Sequence, residues 1–228
     1  MLGSTQRSIK LWLMEGLRIF DLKKARFAQQ LLSKKVSEEY TGRTVKTVCG
    51  MDVSYHGERG AGAAVVLSYP DLKMIETKVV HRPAVVPYIP TFLAFREMAF
   101  FASLIRGLEK TPDIFIIDGH GIYHPAFCGS ASHFGVVFDV PTIGVAGRLM
   151  GLEGEVNDRG TILLQGKRVG LAIKGGKKGV YVSVGHRMNL DLATKIVRGC
   201  IRVHREPEPL FLANSISREA LRSDSYEQ

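Results

Sequence analysis

The chain has 228 residues, 45% of them apolar, and a formal net charge of +9. This length and apolar content suffice for one sizeable hydrophobic core, and no apolar run is long enough to span a bilayer. The basic balance favours a polyanionic partner, either nucleic acid or an anionic membrane surface.

The cysteines indicate a reducing compartment. Three are present, Cys49, Cys128 and Cys200, and they lie far apart without a Cys-x-x-Cys pair. An odd count without paired spacing argues against a disulfide framework, so we expect a cytoplasmic protein.

The first half of the chain predicts a helical region followed by an antiparallel meander. Between residues 9 and 35, apolar residues recur at steps of three and four, with basic residues between them. Strand-forming residues then fill 45–55, 63–68 and 73–80. Three strands joined by short turns predict antiparallel pairing.

The second half alternates helices and strands, beginning with a helix from Thr91, its candidate N-cap, to about Lys110. The other predicted elements are strand 113–117, helix 129–137, strand 142–146, a hairpin over 161–164 and 168–174, strand 180–184, helix 189–203 and a final helix within 205–228. This order predicts an α/β fold: a mixed sheet whose first three strands are antiparallel, with helices on both faces.

The predicted strand before Asp118 ends abruptly on that carboxylate. Residues 114–117 form an apolar run, and Gly119 and Gly121 allow a sharp turn directly afterwards. Open α/β sheets place ligand sites at the carboxyl ends of their strands. Asp-Gly is also a common turn pair, so Asp118 alone does not separate a functional site from turn chemistry.

Two other acids occupy unusual positions. Asp52 lies inside an otherwise apolar strand, and Glu97 lies in the middle of an apolar helix. If the first and fourth strands are neighbours, Asp52 and Asp118 can share a hard cation such as Mg²⁺, with Glu97 reaching in from the helix. Such a site in a basic chain is the profile of a nuclease. The alternative is three unrelated surface or capping acids.

Two loops suggest contacts with nucleic-acid bases. Residues 87–90, Pro-Tyr-Ile-Pro, form a rigid segment with Tyr88 near its tip, which could enter a base stack. The alternative is a turn whose tyrosine packs inward. The small-residue loop 119–132 could line a pocket for an extruded base, or it could be rich in glycine only because it turns.

The histidines carry no metal-binding signature. His120, His124 and His133 follow Asp118, and His186 follows the last strand, but no cysteine pair supports a zinc site. We expect these side chains to contact phosphate or to orient water, with a purely structural role as the alternative.

Taken together, the motifs resemble those of the endonuclease V family, in matching order over about residues 45–215. They are Gly-Met-Asp-Val-Ser at 50–54, Val-Pro-Tyr-Ile-Pro at 86–90 with Leu-Ala-Phe-Arg-Glu at 93–97, Asp-Gly-His-Gly at 118–121 with His124-Pro125, Ala-Ser-His-Phe-Gly at 131–135 and Pro-Thr-Ile-Gly-Val-Ala at 141–146. The resemblance implies an RNase H-like fold and a Mg²⁺-dependent endonuclease that acts on deoxyinosine in DNA. Such enzymes nick the second phosphodiester bond 3′ to the lesion and leave 5′-phosphate ends.

The resemblance also assigns roles to residues. Asp52, Glu97 and Asp118 match the catalytic acids, with Asp52 and Asp118 as metal ligands. The wedge that opens the duplex corresponds to Pro87, Tyr88, Ile89 and Pro90. The base pocket corresponds to Leu93, Gly119, His124, Gly129 and Ser130.

The chain departs from the family pattern at two positions. Many relatives carry a lysine directly after the Gly-Val-Ala strand, where this chain has Gly147. Arg148, Lys174 or His186 are therefore candidates for the contact with phosphate. Where relatives often carry His or Asp, this chain has Asn214, which can offer an oxygen to the metal but no negative charge.

The resulting expectation is a monomeric DNA repair endonuclease that needs Mg²⁺, with Mn²⁺ able to replace it, and that does not bind membranes. We expect one domain over 1–228, divided into a helical region at 1–44, a catalytic core at 45–215 and a helix and tail at 216–228. Three alternatives are open: a nuclease preferring inosine-containing RNA, one preferring branched or mismatched DNA, and a non-catalytic relative that binds nucleic acid.

Overall fold

A computed structural model describes residues 20–151, 154–173 and 179–223. The helices are α1 (Leu22–Ser33), α2 (Leu93–Gly107), α3 (Ser130–Phe138), α4 (Leu190–Cys200) and α5 (Glu208–Ser223). The strands are β1 (Thr47–His56), β2 (Arg59–Ser68), β3 (Met74–Pro83), β4 (Ile114–Asp118), β5 (Thr142–Ala146), β6 (Gly154–Val156), β7 (Thr161–Leu164), β8 (Lys167–Ile173) and β9 (Val180–His186).

All nine of these strands belong to one mixed sheet with the order β3-β2-β1-β4-β5-β9-β8-β7-β6. Strands β1, β2 and β3 pair antiparallel, as predicted. Strand β4 lies between β1 and β5 and runs parallel to both. The predicted mixed α/β fold, of the RNase H-like type, is confirmed.

Helices cover both faces of the sheet because the strand residues alternate between two cores. Cys49 and Met51 of β1 pack with Phe100 and Phe101 of α2 and with Phe134 of α3. On the other face, the strand residues Val48, Ile114 and Ile116 belong to a second core. They pack there with apolar side chains of α4 and α5, namely Ile196, Val197, Leu210 and Ala213. Burial of strand residues on both faces explains why β1 and β4 read as continuous apolar runs.

The register of β1 and β4 determines where the acids meet. Met51 pairs with Ile117 in the parallel ladder, so the next residues, Asp52 and Asp118, lie side by side. Side chains alternate between the two faces of a strand, so Asp52 and Asp118 point to the same face as the even-numbered Val48, Ile114 and Ile116. This is the face that α5 covers. The conditional prediction that the first and fourth strands are neighbours is confirmed.

Several predicted boundaries differ from those observed. Strand β6 was not predicted, and α5 begins at Glu208, so the boundary expected at residue 215 falls inside one helix. Of the predicted N-terminal helical region 9–35, residues 1–19 lie outside the described chain. The cysteines are free thiols, all buried. No helix within the described ranges is long and apolar enough to cross a membrane.

Thr91 is not the N-cap of α2, so that prediction is wrong. The N-cap is Phe92, and Thr91 has a φ of 70°, in the left-handed region. An N-cap residue needs extended backbone angles for its side chain to reach the helix amides. The hydroxyl and carbonyl of Thr91 instead accept hydrogen bonds from other elements, which are described below.

Candidate active site

Asp52 and Asp118 form a closely spaced pair of acids at the edge of the sheet. Their carboxyl groups are near enough to share a hydrogen bond. From α5, Nδ2 of Asn214 donates to Oδ2 of Asp52 over 3.0 Å, and Oγ of Ser217 donates to the same oxygen over 3.2 Å. Burial raises the pKa of both carboxyls, and burial together with the charge of Asp52 brings that of Asp118 to about 7. The pair is therefore poised to release a proton or to accept a cation.

Glu97 approaches the pair from α2 on the opposite side of the sheet. Its side chain is buried, and Oγ of Ser130 donates to its Oε2 over 2.9 Å. Burial raises the pKa of Glu97 well above its ordinary value, and the charges of Asp52 and Asp118 raise it further. The three predicted acids thus lie near enough to influence one another's ionisation.

Two carboxylates, those of Asp52 and Asp118, are the side chains placed to hold a metal ion. Within the described ranges, no group of three His, Cys, Asp or Glu side chains converges closely enough to enclose a metal ion. Asp52 and Asp118 meet, whereas the carboxylate of Glu97 is held by Ser130. Paired carboxylate oxygens beside an open cavity fit a hard divalent cation that keeps several waters.

The acid pair faces a cavity of about 570 Å³, here called the acid cleft, whose lining includes Asp52, Tyr55, Asp118, Asn214 and Arg218. A second cavity of about 760 Å³, the Gly147 cleft, shares Asp118, Asn214 and Arg218 and extends past Gly147 and Arg205. Asp118 therefore lines two open clefts whose walls carry both arginines and acids.

A third cavity of about 320 Å³, the glycine-loop pocket, lies beside the acids. The five residues expected in a base pocket all line it: Leu93, Gly119, His124, Gly129 and Ser130. Tyr88 and Pro90 of the predicted wedge lie at the same cavity. Ser130 belongs both to this lining and to the hydrogen bond with Glu97. A single side-chain hydrogen bond therefore links the pocket wall to Glu97.

Glycine is required in the loop for two different reasons. Gly119 has a φ of 143°, which side chains other than hydrogen rarely allow. A Cβ on Gly129 would lie 2.3 Å from the carbonyl oxygen of His120. Both restrictions let the loop fold tightly on itself, and the two glycines line the glycine-loop pocket.

The predicted wedge projects from the surface. The side chain of Tyr88 is 63% exposed, which rules out the alternative in which it packs inward. Nη1 of Arg96 donates to the carbonyl oxygen of Val86 over 2.5 Å and ties the base of the loop to α2. An aromatic side chain is thus held outward beside the glycine-loop pocket.

Thr91 is held by a set of contacts that the sequence did not reveal. From α1, Nε2 of Gln29 donates to the Thr91 carbonyl over 2.7 Å, and Nη2 of Arg26 donates to its Oγ1 over 2.8 Å. Nε2 of His124 lies 2.8 Å from the same carbonyl. Gln29 is fully buried and lines the pocket. The only signal in the sequence was a glutamine one turn after Ala25 on the buried face of α1.

The histidines have structural surroundings. Burial lowers the pKa of His120, His124 and His133 to about 4, so these rings are neutral at physiological pH. His124 lies between Thr91 and the amide of Ala126. His120 and His124 line the glycine-loop pocket, whereas the ring of His133 packs edge-on against Phe95, and the expected contact with phosphate or water stays a prediction.

Of the candidate phosphate contacts, Arg148 and His186 do not line the two clefts beside the acid pair. His186 pairs with Thr142 at the start of β5, whereas Asp118 pairs with Val145 near its other end. The ring of His186 accepts from the Ser37 amide and lies 3.3 Å from Asp139, so it is engaged away from the acid pair. Arg148 lines the glycine-loop pocket. Lys174 lies outside the described residues.

Comparison with known proteins gives the family. The endonuclease V family model matches residues 29–215. An endonuclease V from Ignicoccus hospitalis is 41% identical over 207 residues, which cover 90% of this chain and 97% of that protein. The chain belongs to the endonuclease V family. It is accordingly an endonuclease, a hydrolase that acts on phosphodiester bonds.

Solved endonuclease V structures share the fold. The crystal structure from Streptomyces avermitilis has a TM-score of 0.82 at 33% identity and covers 90% of this chain and 95% of that chain. The Ciona intestinalis enzyme was crystallised with a 23mer DNA containing an inosine followed by a ribo-adenosine, as the variant D234N. It has a TM-score of 0.78 at 30% identity, over 89% of this chain and 97% of that chain.

Proposed function

We propose that the chain is a Mg²⁺-dependent DNA repair endonuclease that recognises deoxyinosine and nicks the second phosphodiester bond on its 3′ side. The observation that carries the proposal is the position of Ser130, which lines the glycine-loop pocket and donates to Glu97. A pocket that holds an extruded base would thereby adjoin the acids that cut the backbone. The Ciona intestinalis relative with inosine-containing DNA supports the same substrate.

Lesion recognition would use the wedge and the pocket in turn. Tyr88 enters the stack beside the lesion, and the extruded hypoxanthine occupies the pocket lined by Leu93, Gly119 and Gly129. Hypoxanthine carries an acceptor oxygen at C6 and a proton at N1, whereas adenine carries an amino group and an acceptor there. Backbone amides and carbonyls of the glycine loop distinguish these patterns by hydrogen bonding.

Cleavage would use the acid pair. Asp52 and Asp118 would hold Mg²⁺, for which Mn²⁺ could substitute, and Asn214 keeps Asp52 oriented through its Nδ2. When bound, the cation supplies positive charge at the phosphodiester and makes the attacking water more acidic. Glu97, held by Ser130, orients that water. The net charge of +9 strengthens DNA binding, in a salt-dependent manner.

The test compares duplexes with one deoxyinosine and with adenine in its place, in Mg²⁺ and in EDTA, with the cut mapped on a sequencing gel. Cleavage should require both inosine and Mg²⁺. Asp52→Ala and Asp118→Ala should abolish cleavage but retain DNA binding, whereas the exposed Asp71→Ala should cleave normally. Full cleavage by either active-site variant would contradict the proposed mechanism.

One observation favours a second candidate, cleavage of inosine-containing RNA. The DNA in the Ciona intestinalis complex carries a ribonucleotide directly after the inosine. The same assay should therefore include an inosine-containing RNA and a DNA with one ribonucleotide after the lesion. Faster cleavage of these substrates than of the all-DNA duplex would make RNA the preferred substrate.

We expect a monomer, which light scattering during size-exclusion chromatography tests.

A further inference from the structure

The guanidinium of Arg205 lies directly over Gly147. A Cβ on Gly147 would be 2.5 Å from Nη2 of Arg205, and the next nearest atom would be the Cζ of the same guanidinium, at 3.6 Å. Gly147 follows the last residue of β5, the strand whose Val145 pairs with Asp118. The missing side chain at residue 147 therefore makes room for an arginine that comes from the loop before α5.

Arg205 and Asp118 line the same Gly147 cleft, so a phosphate bound in this cleft beside the acid pair would face the guanidinium of Arg205. The side chain is exposed, and it makes no hydrogen bond or ion pair with another described residue. Arg218 and Arg222 line the same cleft, as do Glu206 and Glu219. Arg218 lowers the pKa of Asp118 and Glu206 raises it, so the charges of both residues act on the acid pair.

The loop that carries Arg205 is fixed by its neighbours. The ring of His204 stacks on Phe211 of α5, with centroids 3.4 Å apart and planes 12° from parallel. The amides of Leu210 and Phe211 donate to the Pro207 carbonyl and begin α5 directly after the loop. Arg205 is thus presented from an anchored backbone, which lowers the entropy cost of holding its long side chain against a ligand.

We propose that Arg205 binds the phosphate at the scissile bond and that Gly147 is its seat. This inference deepens the proposed function and depends on it. A guanidinium offers parallel donors that match two phosphate oxygens, and its charge persists at every working pH. Arg205 thereby supplies positive charge beside Asp118 at a place where residue 147 has no side chain. Arg148 lines the glycine-loop pocket instead.

The proposal predicts a specific pattern among four variants. Arg205→Ala should slow single-turnover cleavage of inosine-containing DNA by about ten- to a hundredfold, the range for losing a charge-assisted hydrogen bond. Arg205→Lys should recover part of the rate. Gly147→Ala should also slow cleavage, because its methyl group displaces the guanidinium. Gly147 does not have a positive φ, so its backbone accepts alanine.

The double variant separates a shared role from two independent ones. If Gly147 acts as the seat of Arg205, Gly147→Ala in the Arg205→Ala background should cause no further loss. Multiplication of the two effects would overturn the seat. Arg198→Ala, an exposed arginine at the end of α4, is the matched control and should cleave at the wild-type rate.

A binding measurement keeps the inference testable separately from cleavage. In EDTA, log Kobs decreases with log salt. The slope should become less negative by about one for Arg205→Ala and stay unchanged for Arg198→Ala. If the wild-type protein cleaves inosine-containing DNA, and Arg205→Ala has the wild-type salt slope and cleavage rate, the role of Arg205 is overturned while the proposed function stands. Lack of cleavage by the wild-type enzyme would overturn the proposed function, while the salt slope would still report whether Arg205 contacts phosphate.

Discussion

The hydroxyl of Ser130 donates a hydrogen bond to the carboxylate of Glu97 over 2.9 Å, and the same residue lines the glycine-loop pocket. Ser130 is the first residue of α3, directly after Gly129, which approaches the backbone of the loop at 120–121. A displacement of Ser130 at the pocket wall would therefore act directly on Glu97 through this hydrogen bond.

Removing this hydrogen bond should change both the rate and the pH dependence of cleavage. The hydroxyl stabilises the ionised form of Glu97 and so opposes the rise in its pKa caused by burial. In Ser130→Ala that pKa rises further, and the ascending limb of the pH–rate profile should move to higher pH, with about a tenfold loss of rate near neutrality.

The same helix provides a control for Ser130→Ala. Ser132 is fully buried, and its Oγ has no hydrogen-bond partner. Ser132→Ala should therefore retain the wild-type rate and pH profile. A pH profile for Ser130→Ala that overlays the wild-type profile would show that the hydrogen bond does not govern the ionisation of Glu97.

Asp118 should make the metal-free protein less stable as pH rises. Its pKa, about 7 in the folded protein through burial and the charge of Asp52, exceeds the ordinary value of 3.8. Between these values the folded state binds more protons than the unfolded state, so this contribution to stability is present at low pH and is lost as pH rises through about 7.

Asp118→Asn should therefore raise the melting temperature in EDTA at pH 8 more than at pH 4.5. The expected gain is roughly 2–4 °C for each kcal/mol of unfavourable charge removed. Adding Mg²⁺ should stabilise the wild-type protein and not Asp118→Asn, since binding to the folded state adds stability. The exposed Asp158→Asn should leave both melting temperatures unchanged. An equal gain at both pH values would contradict the assignment to Asp118.

Sequence reasoning located the acids because their residue type conflicted with their surroundings. A carboxylate inside an apolar strand, as at Asp52, or inside an apolar helix, as at Glu97, demands a partner, and the signal is local. The expected pocket residues also converge on one cavity. The resemblance to a known family supplied those pocket residues, since spacing alone left the loop open to a turn interpretation.

Contacts between distant segments could not be predicted in the same way. Gln29 and Thr91 are 62 residues apart, and the left-handed backbone of Thr91 depends on donors from α1 and from His124. The position of Arg205 over Gly147 depends on how α5 docks against the sheet. Such positions follow from tertiary packing, which single-residue propensities do not encode.

Gln29→Leu should weaken lesion discrimination by loosening Thr91. The substitution removes the 2.7 Å hydrogen bond to the Thr91 carbonyl and leaves Arg26 without its contact to Oε1 of residue 29. Loss of a buried hydrogen bond costs about 1–3 kcal/mol, so the melting temperature should also fall. Affinity for inosine-containing DNA should decrease more than affinity for undamaged DNA.

The adjacent Gln30 gives a matched control because it is exposed on the same helix. Gln30→Leu should bind both DNAs like the wild-type protein. Equal weakening of both DNAs in Gln29→Leu would indicate general destabilisation of the fold and would contradict a role of α1 in shaping the pocket.

Tyr88→Ala should reduce binding to inosine-containing DNA by about tenfold and leave binding to undamaged DNA nearly unchanged. The side chain is 63% exposed, so its removal costs little stability, whereas stacking on a base contributes about 1–3 kcal/mol. Tyr88→Phe keeps the ring and should bind like the wild-type protein. Equal losses on both DNAs in Tyr88→Ala would contradict the wedge.

Asn214→Asp should lower the Mg²⁺ concentration needed for cleavage. Nδ2 of Asn214 now donates to Oδ2 of Asp52, so the substitution replaces a donor with a carboxylate beside two others. The added charge strengthens cation binding and, without the cation, adds repulsion to a buried pair. The variant should therefore melt at a lower temperature in EDTA and gain more from Mg²⁺ than the wild-type protein. Asn214→Ala removes the same donor without adding charge, so it should not share the gain, and a lower Mg²⁺ requirement in both variants would show that charge is not the cause.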